Sequence, residues 1–225
     1  MQLYDHLSRF PLFQGLSHNE MIQLIGTTKF AFVKADAGSV VAREGKESSG
    51  ISLLTDGELT LSHRSDNHSF RLVEYIQAPK TLYADTIFGL STHFRYDVAA
   101  VTPCSFVIIP KKEMMRILGD FLIIRLNLLN ILSSAVQRDY RQQWRHQSAT
   151  VYDRITRFIF DHSLYPAGHK QLFILMRTLA AELGTSRLVV SKALNLMQQH
   201  GLVSLGRGCI DVPQLERLIT QQASA

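Results

Sequence analysis

Pro110 divides the chain into two textures, and that change limits the fold more than any other feature. Before it, short apolar alternations are interrupted by glycine and polar turns, as in FAFVKADAGSVVAREGKESSGISLLTDGELTLSHRSDNHSFRLVEYI from Phe30 to Ile76. Alternation with period two marks half-buried strands, with Gly38, Gly45 and Gly57 at the breaks and SDNHS as a hairpin tip. Strands recurring every ~8 to 12 residues suit a small barrel, sandwich or jelly roll. After Pro110, KKEMMRILGDFLIIRLNLLNILSSAVQRDYRQQWRHQ holds no proline and a single glycine, Gly119. The pattern predicts a short helix to about Leu118 and a long one from about Asp120 to Gln147.

Smaller signals refine this outline. SHNEMIQLIGTTK reads as a helix near the N-terminus, with Ser17 as N-cap and Glu20 completing a capping box. In the long helix, Ile124, Leu128, Ile131 and Ala135 are spaced four, three and four residues apart, the seam of a two-stranded coiled coil. Such a stripe commonly packs on its own domain. Ile123, Leu126, Leu129 and Leu132 give the helix a second apolar side, however, and one domain would struggle to cover both. The seam is therefore assigned to a dimer interface.

The last section begins near Thr150. YDRITRFIFDHSL predicts a helix, YPAGHK a turn, LVSLGRGCIDV a hairpin with Gly206, Arg207 and Gly208 at its tip, and VPQLERLITQ a closing helix. Between turn and hairpin lies LAAELGTSRLVVSKALNLMQQHGLV. Two helices that cross closely need a small residue in the first, a glycine able to take positive φ in the turn, and a branched apolar residue facing back from the second. Ala180, Gly184 four residues later and Val190 ten later meet that requirement. Leu179, Leu183, Ala193 and Leu194 fill the other inward positions. Ser186, Arg187, Leu188, Ser191, Lys192 and Asn195 project outward, with Ser186 an N-cap and Gly201 a helix stop. Cations, hydroxyls and an amide on one face can meet phosphates and base edges in a major groove. Arg187 suits a bidentate contact to guanine, while Ser186, Ser191 and Lys192 suit phosphate. Arg207 at the wing tip is a further phosphate contact, although an arginine between glycines is also an ordinary turn residue.

Composition narrows the function classes. The net charge of +5 is unevenly placed. Residues 1–110 carry nine basic and eleven acidic side chains, residues 111–148 seven and three, and residues 149–225 eight and five. The basic excess of the second half fits a polyanion partner, double-stranded DNA, as well as a merely solvated face. Apolar runs fall short of the roughly 20 residues that span a bilayer. MQLYDHLSRF lacks the apolar core of a signal peptide, so a cytoplasmic protein without a membrane partner is expected. Two cysteines, Cys104 and Cys209, lie far apart and suit reduced thiols, with no CxxC pair for a metal.

The order of these parts resembles the CRP/FNR superfamily of bacterial transcription regulators. The resemblance covers nearly the whole chain. It rests on AGSVVAREGKESSGISLLTDGELTL, similar to the first half of the family's cyclic-nucleotide-type β-roll, and on LAAELGTSRLVVSKALNLMQQHGLV. It implies an α+β protein with three parts: a β-roll (jelly roll) effector domain over 1–110, connecting and dimerisation helices over 111–148, and a winged helix-turn-helix over 149–225. It further implies a homodimer reading a near-palindromic site through the recognition helix 186–200, modulated by an unidentified effector, with RNA polymerase as a candidate partner.

Departures from the family pattern bear on the effector. Members that bind cyclic AMP present a Gly-Glu pair and, ten residues after the Glu, an Arg-Ser pair that grips the cyclic phosphate and ribose. The match here is Ala84-Asp85 and Arg95-Tyr96, which keeps only the charge pair. Alanine for glycine and tyrosine for serine crowd the close backbone approach a phosphate cradle needs. The family's base-contacting hydroxyl pair falls at Asp139-Tyr140, where a carboxylate would repel a phosphodiester. Cyclic AMP is therefore disfavoured, and Asp85 with Arg95 reads as a salt bridge closing an empty pocket, or as part of a pocket for another ligand together with Tyr96, Asp139 and Tyr140. The N-terminus has no cysteine cluster for an iron-sulfur centre. A haem sensor stays open among nine histidines, of which His63, His68 and His93 lie on or near expected loops. In the recognition helix Leu188 stands where many members place a cytosine-reading Glu, so the half-site should differ from the family's commonest one.

Two other classes compete. A cupin-type enzyme would need clustered histidines with a carboxylate, and no HxH, HExxH or nucleophile elbow is present, so no metal or catalytic site is expected. A structural dimer whose winged helix meets protein is compatible with Leu188 and the modest charge. Steeply salt-dependent DNA binding separates the regulator from both.

Overall fold

The computed structural model describes residues 3–143 and 150–222. The chain divides into two compact units, Met1–Leu59 with Gln77–Trp144 and Thr60–Ile76 with Arg145–Ala225.

The first unit opens with helix α1 (Leu3–Leu7), a single 3-10 turn at Pro11–Phe13 and helix α2 (His18–Thr27). The α2 capping box forms as expected, the Ser17 hydroxyl accepting from the Glu20 amide and the Glu20 carboxylate from the Ser17 amide. Strands β1 (Ala31–Ala35), β2 (Val40–Ala42), β3 (Gly50–Asp56), β6 (Lys80–Leu82), β7 (Asp97–Ala100) and β8 (Cys104–Pro110) follow. Antiparallel pairing orders four of them β1-β8-β3-β6, while β2 pairs with β7. Strand β3 alternates into a core where Ile51 and Leu53 are completely buried. Gly57 ends it at φ +95°, and a Cβ there would sit 2.5 Å from the Pro103 carbonyl oxygen, so only glycine allows this turn.

Helix α3 (Lys111–Asp120) and helix α4 (Leu122–Gln143) complete the unit, the break between them falling at Phe121. Arg116 pins α3 by bonding Glu113, Asp120 and the Thr27 carbonyl. Asn127 donates to the Leu12 and Gln14 carbonyls and fixes the start of α4.

The inward stripe of α4 corrects the dimer assignment at Ile124 and Leu128. Ile124 and Leu128 belong to the unit's own core with Phe10, Leu12, Met114 and Ile117, and Ile131 packs half-buried beside them. Ala135 is half-buried as well. The N-terminal part of the stripe is covered because the 3-10 turn and α3 lie against it, so Ile124 and Leu128 are not offered to a partner. The apolar residues left exposed are Leu122, Leu126, Leu129, Val136 and Tyr140. They too follow heptad spacing.

The second unit contains hairpin β4 (Glu58–Arg64) and β5 (Phe70–Gln77), helix α5 (Val151–Asp161), strand β9 (Lys170–Ile174), helices α6 (Met176–Glu182) and α7 (Arg187–Gln199), hairpin β10 (Ser204–Gly206) and β11 (Cys209–Val212), and helix α8 (Leu215–Gln222). Its sheet runs β10-β11-β9-β5-β4. Strand β9, absent from the sequence reading, pairs antiparallel with β11 on one side and with β5 on the other. Residues 60–76, which chain order places among the N-terminal strands, thus complete the sheet of the C-terminal unit. Leu72 joins Leu172, Ile155, Val190 and Leu194 in its core. Among the described residues no single helix is long and apolar enough to cross a membrane.

Candidate nucleic-acid interface

Helices α6 and α7 meet around Gly184, whose φ of +58° is the left-handed turn that the spacing requires. Ala180 and Val190 are buried where the helices cross, together with Leu179, Leu183 and Leu194. Ser186 caps α7, its hydroxyl accepting from the Val189 amide at 3.3 Å. Gly201 follows the helix with φ +67°. The local packing therefore turns one face of α7 outward and fixes which residues occupy it.

On that face Ser186, Arg187, Leu188, Lys192 and Asn195 are exposed and Ser191 is half-buried. Leu188 is 65% exposed, a large apolar cost for a surface with no partner. Val189 and Leu196 add further exposed apolar area. Arg207 stands exposed at the β10–β11 tip.

Between α7 and this wing lies a cleft of about 510 Å³ lined by Arg177, Arg187, Leu175, Gly206, Gly208 and Cys209. Arg177, in the first turn of α6, was not singled out by sequence. Its signal was its position, a cation just after the buried strand β9, and without that strand it had no context. The cleft brings two guanidinium groups beside the glycine-flanked wing, whose backbone can approach a ligand closely. Burial pushes the Cys209 thiol up, so it stays protonated and is not a reactive thiolate.

In the first unit the proposed effector residues divide. Asp85 and Arg95 form an ion pair, Nε to Oδ2 at 3.6 Å, with the side chains 38% and 65% exposed. Tyr96 is buried. Its ring stacks on Tyr83 at 5.8 Å, and Tyr83 in turn meets Phe94 at 4.4 Å. Three aromatic rings thus pack together beside the charge pair. Tyr140 is exposed on α4, and the Asp139 side chain lies outside the described residues.

The three histidines also differ in place. His68 sits in the β4–β5 turn with φ +55°, and His93 forms an isolated bridge with Glu47. His63, expected near a loop, is instead on β4, its Nε2 3.4 Å from the buried Glu74 carboxylate. That contact makes it a structural partner of Glu74 within the second unit.

Comparison with known proteins agrees with this geometry. Residues 32–120 match the family model of the cyclic nucleotide-binding domain, and residues 153–220 that of the Crp-like helix-turn-helix domain. No curated protein matches the chain in sequence. Among solved structures it is similar to the Thermus thermophilus catabolite activator protein, at 17% identity and a TM-score of 0.52, over 93% of this chain and 96% of that one. A Crp/Fnr-family transcriptional regulator from Eubacterium rectale gives 22% identity and a TM-score of 0.52, over 95% and 98%. The sensor domain of the regulator DNR from Pseudomonas aeruginosa gives 20% and 0.51, over 65% of this chain and 95% of that one. At these identities the structures establish the fold, and the two domain models, in this order and covering most of the chain between them, establish the kind of protein. The chain belongs to the CRP/FNR superfamily and is a DNA-binding transcription regulator.

Proposed function

We propose that the protein acts as a homodimer that reads a near-palindromic DNA site, each α7 entering a major groove and the half-sites lying about one helical turn apart. The observation that carries this reading is the outward row Ser186, Arg187, Leu188, Ser191, Lys192 and Asn195, capped and presented beside an arginine-lined cleft. Arg187 near the start of α7 reads a guanine, Leu188 packs on a thymine methyl, and Ser186, Ser191, Lys192 and Arg207 hold phosphates, with Arg177 added to that set. The exposed heptad row Leu122, Leu126, Leu129, Val136 and Tyr140 is the helix face offered to the second copy.

The β-rich unit holds the effector site of this regulator, which works in the cytoplasm without catalysis of its own. Cyclic AMP fits it poorly, because Tyr96 lies among Tyr83 and Phe94 and the Asp85–Arg95 pair already neutralises the arginine that a phosphate would need. Effector binding shifts the population of reader poses toward the one matching the half-site spacing, and polymerase contact follows from promoter geometry.

Selection of bound fragments from a random DNA pool by the purified protein, at two salt concentrations, tests the reading. The expected result is a near-palindromic motif whose affinity falls steeply with salt. A protein that enriches nothing, alone or with cell extract, would refute it.

A further inference from the structure

Helix α7 carries no aspartate or glutamate, and its first turn presents two consecutive apolar side chains to solvent. Leu188 is 65% exposed and Val189 39%, although the neighbouring Val190 is completely buried. At about 3.6 residues per turn, Leu188 aligns with Asn195 and Val189 with Leu196, and Lys192 lies between the two rows. The apolar pair is therefore set among Arg187, Lys192 and Asn195, all of them exposed. The Ser186 hydroxyl at its border is engaged in accepting from the Val189 amide.

Two aliphatic side chains surrounded by cations and an amide match a target that is apolar in small spots and anionic around them. A major groove has that pattern, since phosphates flank the base edges and the apolar spots are the C5-methyl groups of pyrimidines. Thymine carries this methyl, cytosine lacks it, and 5-methylcytosine carries it at the same ring position. Cytosine is otherwise read by a carboxylate that accepts from its N4 amino group, and α7 offers no carboxylate. For a pyrimidine facing Leu188, the methyl is therefore the feature that the side chain can distinguish.

We infer that Leu188 reads the pyrimidine C5-methyl group, with Val189 widening the apolar surface, so that a half-site with 5-methylcytosine at the Leu188 position binds more tightly than its unmethylated form. This inference rests on the proposed placement of α7 in the major groove. Methylation of cytosine in the target then acts as an input to the regulator, delivered through the DNA rather than through the β-rich unit. Burying one methyl group against an aliphatic side chain corresponds to about fourfold in affinity.

Equilibrium binding of the full chain to duplexes of the selected site tests it. Each half-site thymine is replaced singly by deoxyuridine, which removes only the methyl, and 5-methylcytosine is compared with cytosine at every pyrimidine position. At one position deoxyuridine should weaken binding about fourfold, and 5-methylcytosine should bind about fourfold more tightly than cytosine. In Leu188→Ser, altered at an exposed side chain and checked for folding by circular dichroism, both ratios should fall close to one while the salt slope stays unchanged. Wild-type protein that binds its motif with both ratios close to one at every position would overturn the proposal and leave the groove reading of α7 in place. Ratios that persist undiminished in the folded Leu188→Ser variant would overturn it as well. If the wild-type chain enriched no DNA, the groove reading and the methyl inference would fall together.

Discussion

Tyr96 stacks on Tyr83 at 5.8 Å, and both rings are buried within the unit that carries the Asp85–Arg95 pair. The tyrosine at 96 thus serves packing. Cyclic AMP titrated into the protein should give no saturable heat and leave DNA affinity unchanged. Tyr96→Ala should lower stability by about 3 kcal/mol, the usual result of emptying a buried aromatic site, as read by denaturant melts.

Arg187 and Lys192 should separate on DNA. Arg187→Ala is expected to lose about 1 to 3 kcal/mol of binding and flatten preference at one base pair. Lys192→Ala should weaken specific and random DNA alike and reduce the salt slope by about one. Equal losses on both DNAs for both variants would remove Arg187 from base reading.

The two faces of α4 should respond differently to substitution. Leu126→Glu with Leu129→Glu is expected to yield a folded monomer in analytical ultracentrifugation, because those side chains are exposed. Ile124→Ala should instead destabilise the protein by about 2 to 5 kcal/mol, as a cavity in a buried core does. A variant of the exposed face that stays dimeric would place the interface elsewhere.

Acid should act on the second unit through Glu74. Burial alone would push its carboxyl up, but His63, Lys170 and the Leu164 and Tyr165 amides together hold it below the ordinary carboxylate value. A group lowered on folding contributes stability above its unfolded pKa, and that contribution disappears as pH falls through the folded one. Thermal melts should therefore be level near neutrality and fall below the carboxylate range. Glu74→Gln should destabilise by about 3 kcal/mol at neutral pH and make the acid limb shallower.

The cap of the recognition helix is a smaller target. Ser186→Ala removes the acceptor for the Val189 amide and should cost about 1 kcal/mol of stability, measured by chemical denaturation.

Much of this architecture could be read from residue order because its causes are local. The capping box at Ser17 and Glu20, the turn glycines and the Ala180–Gly184–Val190 spacing each act within a dozen residues, and each takes the expected form. Strand β9 escaped because KQLFI is short, follows a turn and shows little contrast between its faces. Its burial comes from Leu72 and Glu74 of β5, which no local pattern can reveal. The burial of Ile124 and Leu128 within their own unit was hidden for a related reason. Both faces of α4 carry heptad spacing, and which one is covered depends on the 3-10 turn and α3 packing from elsewhere in the chain. Arg177 gained meaning only when the cleft beside the wing appeared.

The partnership of β5 with β9 also sets an order of events during synthesis. Tyr75 and Gln171 are separated by 96 residues, so hairpin β4–β5 leaves the ribosome long before the strand it must meet. Sheets closed by such distant segments form slowly, since the intervening loop must be ordered before the contact rewards it. During that interval the edge of β5 stands uncovered, open to pairing with a neighbouring nascent chain. The completion of the reader is therefore tied to the arrival of the last third of the polypeptide, and a chain truncated before β9 would leave that edge permanently exposed.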